Sequence, residues 1–292
     1  MNIYLVTEES LSIPNIKLIL KKQFIKSVDT YLFGSKIIIT QSDANTYEIG
    51  GVASRNYNKF YMKIAKGNTS FVDVLVYESE NPADLLTKRP SSAWEITKNL
   101  PNSSESGNMT SQRLCKFPFI KYRWGEEVDC KYLIDYLRDI KDADVNKSNE
   151  RSFALLSAMG VEIFFSNVSS DECRRYIPKQ RVISIGDLYY SGKTNKVYDK
   201  NNAVNIETNL WNNKKHKRGE HDPNKGWLGA MVFLFRKAGY TGKIIVHSNR
   251  PLGYFKDNDN KITKILNREN VTVRYQGNSF KMNKPKELGH YW

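Results

Sequence analysis

Two carboxylates and a lysine stand on two apolar stretches that the sequence predicts to be neighbouring strands. Asp73 lies inside the apolar run 71–77, and Glu95 and Lys98 belong to the stretch 94–98. An ionised carboxylate among apolar neighbours is costly unless it is paired or binds a metal. A divalent cation held between Asp73 and Glu95 would polarise a phosphate and acidify a water, and Lys98 would orient that water. The alternative is an edge-strand or turn carboxylate at Asp73 and a surface ion pair between Glu95 and Lys98.

The metal that such a site would take follows from its ligand atoms. Carboxylate oxygens are hard ligands, which favour magnesium over zinc. The cysteines Cys115, Cys130 and Cys173 are odd in number and have no CxxC spacing. They indicate neither a disulfide framework nor a zinc site, and they favour a reducing, cytoplasmic environment. The chain starts without a signal-peptide pattern, and no apolar run approaches ~18 residues, so we expect no membrane span.

Charge gives a second indication of function. The chain has 45 Lys and Arg against 31 Asp and Glu, a net charge of +14. Residues 211–292 carry 17 basic and 6 acidic side chains, which is +11 of that total. A polyanion is the partner that this asymmetry favours, because each neutralised phosphate releases counterions. The alternative is a basic, solvated surface.

The hydrophobic pattern predicts an α/β protein with a central mixed β-sheet flanked by helices and an elaborated basic C-terminal third. Strands are predicted at 3–7, 36–40, 60–64, 71–77, 93–97, 161–165, 181–190, 243–247 and 271–275. Helices are predicted at 12–26, 131–140, 150–159, 227–238 and 261–269. No Gly-, Ser- or Pro-rich linker divides the chain, so we predict a single domain over 1–292 with its catalytic core at about 60–170.

Two polar regions, at about 100–120 and 205–255, are candidate DNA-recognition elements. Residues 99–110 form a turn-rich tract before a short predicted helix, and 212–218 combine amides with cations. Amides and cations suit base edges and phosphates, although both regions would also suit a solvated surface. The candidate DNA contacts are Asn108, Gln112, Arg113, Lys116, Asn213, Lys214, Lys215, Lys217, Arg218 and Asn224.

The order of these motifs resembles the PD-(D/E)xK nuclease family, specifically type II restriction endonucleases. The resemblance rests on Asp73, then Glu95-x-Thr97-Lys98, a polar loop, and Gln112-Arg113-x-x-Lys116-Phe117. The later block His221-Asp222-Pro223-Asn224-x-Gly226 is similar to one found in some of these enzymes. The resemblance implies a restriction-endonuclease-like fold in which Asp73 and Glu95 bind Mg²⁺ at the scissile phosphate beside Lys98.

The chain departs from the family pattern in its spacing. The family places an acid two residues before the lysine, and that position here is Ile96. Glu95 is one residue earlier, so on a regular strand it would face away from Lys98 unless a bulge realigned it. Glu78 and Glu80 are the alternative second acids. Val72 also stands where the family often has proline.

The resemblance implies magnesium-dependent, sequence-specific hydrolysis of phosphodiester bonds in double-stranded DNA. Palindromic targets would call for a homodimer, and a cognate DNA methyltransferase would be the functional partner. Two alternatives stay open at this point. The first is a non-catalytic nucleic-acid-binding protein whose carboxylates are structural, and the second is a structure-specific or repair nuclease on the same scaffold.

Overall fold

The computed structural model describes residues 1–23, 32–65, 72–99, 110–136, 147–166, 183–210, 222–250, 260–275 and 278–280. The side chains of some residues beside the gaps, including Lys98, lie outside that description. The described chain is mixed α/β and contains a large mixed β-sheet flanked by helices. None of its helices is long and apolar enough to cross a membrane.

Five α-helices have bounds within the described residues. They are α1 (Ile13–Gln23), α2 (Lys116–Trp124), α3 (Lys147–Ala158), α4 (Pro223–Lys237) and α5 (Asn260–Arg268). Two short 3-10 helices lie at Pro82–Asp84 and Gly186–Leu188. The predicted helices near α1, α3, α4 and α5 are confirmed, with α4 beginning four residues earlier than expected because Asp222 caps it.

The larger sheet has eight strands in the order β2-β3-β4-β1-β5-β6-β7-β8. Their bounds are β1 (Asn2–Thr7), β2 (Leu32–Gln41), β3 (Thr46–Ala53), β4 (Phe60–Ile64), β5 (Val74–Ser79), β6 (Ser92–Asn99), β7 (Asp129–Tyr136) and β8 (Val161–Phe165). Strand β1 runs parallel to β4 and antiparallel to β5, and β5 runs antiparallel to β6. The prediction that the stretches near 71–77 and 93–97 form neighbouring strands is confirmed.

The middle strands of this sheet are unbroken apolar runs in the sequence because they are buried. Ile3, Leu5, Val74 and Val76 are fully buried, and Trp94 on β6 is also fully buried. A strand that is covered on both faces has no need of alternating polar residues. A carboxylate at the end of such a strand is therefore an exception to the apolar pattern around it.

A second sheet has the order β14-β13-β12-β11-β10-β9. Its strands are β9 (Tyr190–Ser191), β10 (Asn195–Lys200), β11 (Ala203–Thr208), β12 (Lys243–Ser248), β13 (Thr272–Tyr275) and β14 (Asn278–Phe280). The three strands β11, β12 and β13 are parallel. Helix α4 lies in the chain between β11 and β12, and α5 lies between β12 and β13, as parallel connections require.

The chain divides into two compact units. Among the described residues, the first unit contains 1–96 and 123–133, and the second contains 97–122 and the segments from 134 onward. The chain passes from one unit to the other inside β6, α2 and β7, so no linker marks the boundaries in the sequence. The single domain over 1–292 stays a prediction.

Two predicted elements are wrong. The helix predicted at 131–140 is strand β7 over its described part, because Cys130–Ile134 is buried at every position and such a run has no readable period. The strand predicted at 181–190 contains the 3-10 helix Gly186–Leu188 instead. The β10–β11 hairpin was not predicted, although its turn residues Asn201 and Asn202 adopt the positive φ angles of 55° and 53° that Asn tolerates.

Candidate active site

The pairing of β5 with β6 brings Asp73 and Glu95 together. Val74 is the register partner of Trp94, so Asp73, the bend residue directly before β5, comes next to the part of β6 that contains Glu95. The backbone N–H of Ile96 donates a hydrogen bond of 2.6 Å to Asp73 Oδ2, which fixes the Asp73 carboxylate beside β6.

The two carboxylates differ in their access to solvent. Glu95 is 0% exposed, whereas Asp73 is half-buried at the end of its strand. Burial confines the Glu95 side chain, and partial exposure leaves Asp73 accessible to a ligand. A buried carboxylate beside an accessible one is a donor set that suits a hard divalent cation.

The alternative acids Glu78 and Glu80 lie elsewhere. They are five and seven residues from Asp73 in the chain, which places Glu78 roughly 17 Å away along β5. Glu78 accepts a hydrogen bond of 2.6 Å from Tyr57 Oη, and Glu80 is paired with the amino group of Met1 at 3.4 Å. Neither lies close enough to share a cation with Asp73, and Glu95 stays the predicted second acid.

Lys98 belongs to β6 by its backbone, and its side chain lies outside the described residues. Its role beside Asp73 and Glu95 therefore stays a prediction.

A third carboxylate, Glu8, was missed by the sequence analysis. Thr7 is the register partner of Val74 across β1 and β5, so Glu8 follows opposite Asp73. The signal was an acid directly after an apolar strand. The β1–β5 register brings Glu8 towards Asp73, but within the described residues no three His, Cys, Asp or Glu side chains lie close enough to hold a metal ion. A pair of carboxylates suits Mg²⁺, because that ion usually keeps several waters and binds substrate oxygens.

The segment that carries Gln112 and Arg113 packs directly against α4. A Cβ added at Gly226 would overlap the carbonyl oxygen of Ser111 and lie 2.8 Å from that of Gln112. Only glycine allows this approach of helix and segment. Gln112, Arg113 and Lys116 are half-exposed, so their predicted contacts with DNA stay predictions.

Asn224 has a structural role in place of the predicted contact with DNA. The side chain is 7% exposed, its Nδ2 donates to the carbonyl of Asn209 at 2.6 Å, and its Oδ1 accepts from Asn195 Nδ2 at 2.9 Å. Its backbone N–H donates to the capping carboxylate of Asp222 at 2.9 Å. Because both amide groups are engaged inside the protein, we do not include Asn224 among the proposed DNA contacts.

The other predicted DNA contacts lie outside the described residues. They are Asn108, Asn213, Lys214, Lys215, Lys217 and Arg218. The residues on either side of 211–221 are fixed, since Leu210 exchanges hydrogen bonds of 2.8 and 3.1 Å with the side chain of Asn249. The hydrogen bond from Asn224 Nδ2 to the carbonyl of Asn209 also joins residues on the two sides of 211–221.

Comparison of the chain with family models, with curated proteins and with solved structures finds no match.

Proposed function

We propose that this protein is a magnesium-dependent endonuclease that hydrolyses phosphodiester bonds in double-stranded DNA, as type II restriction endonucleases do. The observation that carries the proposal is that Asp73, directly before β5, accepts a hydrogen bond from the Ile96 N–H on β6, next to the buried Glu95. Two carboxylates on neighbouring segments supply the oxygen ligands that a hard divalent cation prefers.

Each residue has a distinct part in the reaction. Bound Mg²⁺ supplies a Lewis acid that polarises the scissile phosphate and lowers the pKa of a water. Asp73 and Glu95 would hold the cation. Lys98, turned to the same face by a bulge after Glu95, would orient the attacking water and stabilise the charge that develops on the phosphate. Water adds in line to phosphorus, the P–O3′ bond breaks, and the leaving oxygen takes a proton, giving 5′-phosphate and 3′-hydroxyl ends.

The remaining properties of the proposal come from charge and from the family resemblance. The +11 carried by residues 211–292 supports a DNA partner. A homodimer would place one active site on each strand of a palindrome, and a DNA methyltransferase in the same cytoplasm would protect the host's own sites.

A non-catalytic DNA-binding protein explains the basic charge equally well. The position of the buried carboxylate Glu95 on β6, next to the Ile96 N–H that binds Asp73, favours a metal site. We therefore favour the nuclease and treat binding without cutting as an outcome of the test.

The test is digestion of fully sequenced plasmid DNA with Mg²⁺ by the wild type and by Asp73→Asn, Glu95→Gln and Lys98→Ala. Loss of a metal ligand or of the lysine should reduce the cutting rate at least about 100-fold, since each contributes to stabilising the transition state. Glu78→Gln is the matched control, because it removes a carboxylate from the same strand at a distance from the site.

Full cutting by both Asp73→Asn and Glu95→Gln would contradict the proposed site. Ends that map to one short sequence would support a restriction enzyme, whereas cutting at junctions or lesions would support the structure-specific alternative. Binding of plasmid without cutting at any metal concentration would support the non-catalytic alternative.

A further inference from the structure

Four charged or titratable side chains form a row across the second sheet, near the carboxyl ends of its parallel strands. Lys196 on β10 is the register partner of Glu207 on β11, Glu207 is the partner of His247 on β12, and His247 is the partner of Arg274 on β13. Residues at matched register positions share one face of a sheet. We call Lys196, Glu207, His247 and Arg274 the polar row.

Contacts with the neighbouring positions hold the row in place. Tyr198 Oη donates to Glu207 Oε1 at 2.9 Å, and Lys196 Nζ lies 3.8 Å from the other oxygen of Glu207. His247 Nε2 is hydrogen-bonded to Asn205 Oδ1 at 2.9 Å. Hydrogen bonds thus fix Glu207 and His247 in the middle of the row. The long cationic side chains of Lys196 and Arg274 stand at its two ends.

The two faces of this sheet differ in character. The residues alternating with the row, among them Val204, Ile206, Ile244 and Val246, are 0% exposed and form the apolar face. The row lies on the opposite face, where the side chains of Lys196 and Glu207 are 52% and 42% exposed. Asn205 and Ile245 on this face are buried, so its exposed parts are at the ends of the strands, and the row lies at one of these ends.

The charge on this face is predominantly positive. Strand alternation adds Lys200 and Lys243 to the same face, and both are exposed. Among the described residues of these strands, the face therefore carries Lys196, Lys200, Lys243 and Arg274 against one carboxylate, Glu207. A polyanion is the partner that complements it.

We propose that the polar row is a docking surface for the backbone of double-stranded DNA. This inference rests on the proposed function, which supplies the DNA. Lys196 and Arg274 stand three strand spacings apart, roughly 14 Å, close to the ~12 Å width of the DNA major groove. The two end cations contact phosphates on either side of one groove.

The position of Glu207 agrees with this arrangement. A carboxylate at either end of the row would repel a phosphate, but Glu207 lies between the end cations. There it faces the base edges, where a carboxylate accepts a hydrogen bond from the amino group of cytosine. Its bonds to Tyr198 and Lys196 keep it in that position.

The experiment is titration of a fluorescent duplex of about 30 base pairs with no divalent ion, over a range of salt concentrations. Lys196→Gln with Arg274→Gln should weaken binding about tenfold and reduce the slope of log K against log salt by about 2, one for each phosphate released. Lys196→Gln with Lys200→Gln should also weaken binding and reduce the salt slope. This variant changes only exposed cations of β10, so its effect cannot come from misfolding caused by a change at Arg274. Glu207→Gln should tighten non-specific binding, because it removes the negative charge but keeps the acceptor for Tyr198.

The matched control is Lys36→Gln with Arg55→Gln, two exposed cations of the first unit. Equal affinity and equal salt slope in the row variants and in this control would overturn the proposal. This result can be distinguished from a failure of the proposed nuclease activity, because the titration contains no metal and plasmid cutting is measured in a separate assay. Inorganic phosphate that competes at millimolar concentration, with no change of slope in the variants, would point to a small-anion site and would also overturn it.

Discussion

At the scale of residues, the spacing of the motif sets a condition on the site. The family pattern expects an acid at the position of Ile96, and the acid here is Glu95. On a regular strand, positions 96 and 98 lie on the face opposite Glu95, so Lys98 acts beside Glu95 only if β6 bulges between them. Ile96 itself contributes its backbone N–H, which binds the Asp73 carboxylate.

His247 should make the stability of the protein depend on pH. Burial is the main cause that holds the pKa of His247 below its usual 6.5, the positive charges of Arg274 and Lys200 add to the effect, and Glu207 opposes it. As the pH falls below 6.5, the unfolded chain therefore takes up a proton before the folded chain does. Stability contributed by neutral His247 is present above 6.5 and is lost as the pH falls towards the lowered pKa.

The measurement is the urea midpoint of the wild type and of His247→Gln between pH 7.5 and 5.5. The wild type should lose more stability than the variant over this range, since only the wild type has this proton to take up. Parallel curves for the two proteins would show that His247 does not titrate differently in the folded state.

At the scale of elements, the sequence predicts what depends on local pattern. Apolar runs locate β1, β5 and β6, and Gly239 locates the end of α4, although its start at Pro223 is four residues earlier than the sequence predicts. The sequence does not predict features that depend on which strands pair. Only the β1–β5 register brings Glu8 towards Asp73. Strand β7 was predicted to be a helix because its complete burial removes the alternation of polar and apolar residues.

Helix α4 and the segment around Gln112 should be sensitive to one added methyl group. Gly226→Ala would place a Cβ against the carbonyl oxygens of Ser111 and Gln112, which are backbone atoms that cannot rotate away. We expect a loss of about 1–3 kcal/mol in the free energy of unfolding, as for other overpacked sites.

Urea unfolding of Gly226→Ala measures this loss, and Gly186→Ala is the control. At Gly186 the nearest atom to an added Cβ is 3.7 Å away, so that variant should be close to the wild type. A neutral Gly226→Ala would mean that the segment moves freely relative to α4. It would then not hold Gln112 and Arg113 in a fixed position.

At the scale of the whole molecule, the chemistry and the charge occupy different parts of the chain. The carboxylate pair belongs to the first unit, and the basic residues are concentrated after residue 211. Composition alone is the basis for proposing a polyanionic partner, because counterion release depends on charge. It could not identify the polar row, which is assembled from strands 78 residues apart in the chain, at Lys196 and Arg274.

The measurement that tests the central claim most directly is a Mn²⁺ titration followed by electron paramagnetic resonance, with duplex DNA bound. Mn²⁺ replaces Mg²⁺ because both prefer oxygen ligands. The wild type and Glu78→Gln should each bind the ion, and Asp73→Asn and Glu95→Gln should each lose that binding. Equal Mn²⁺ binding by all four proteins would contradict a metal site between Asp73 and Glu95.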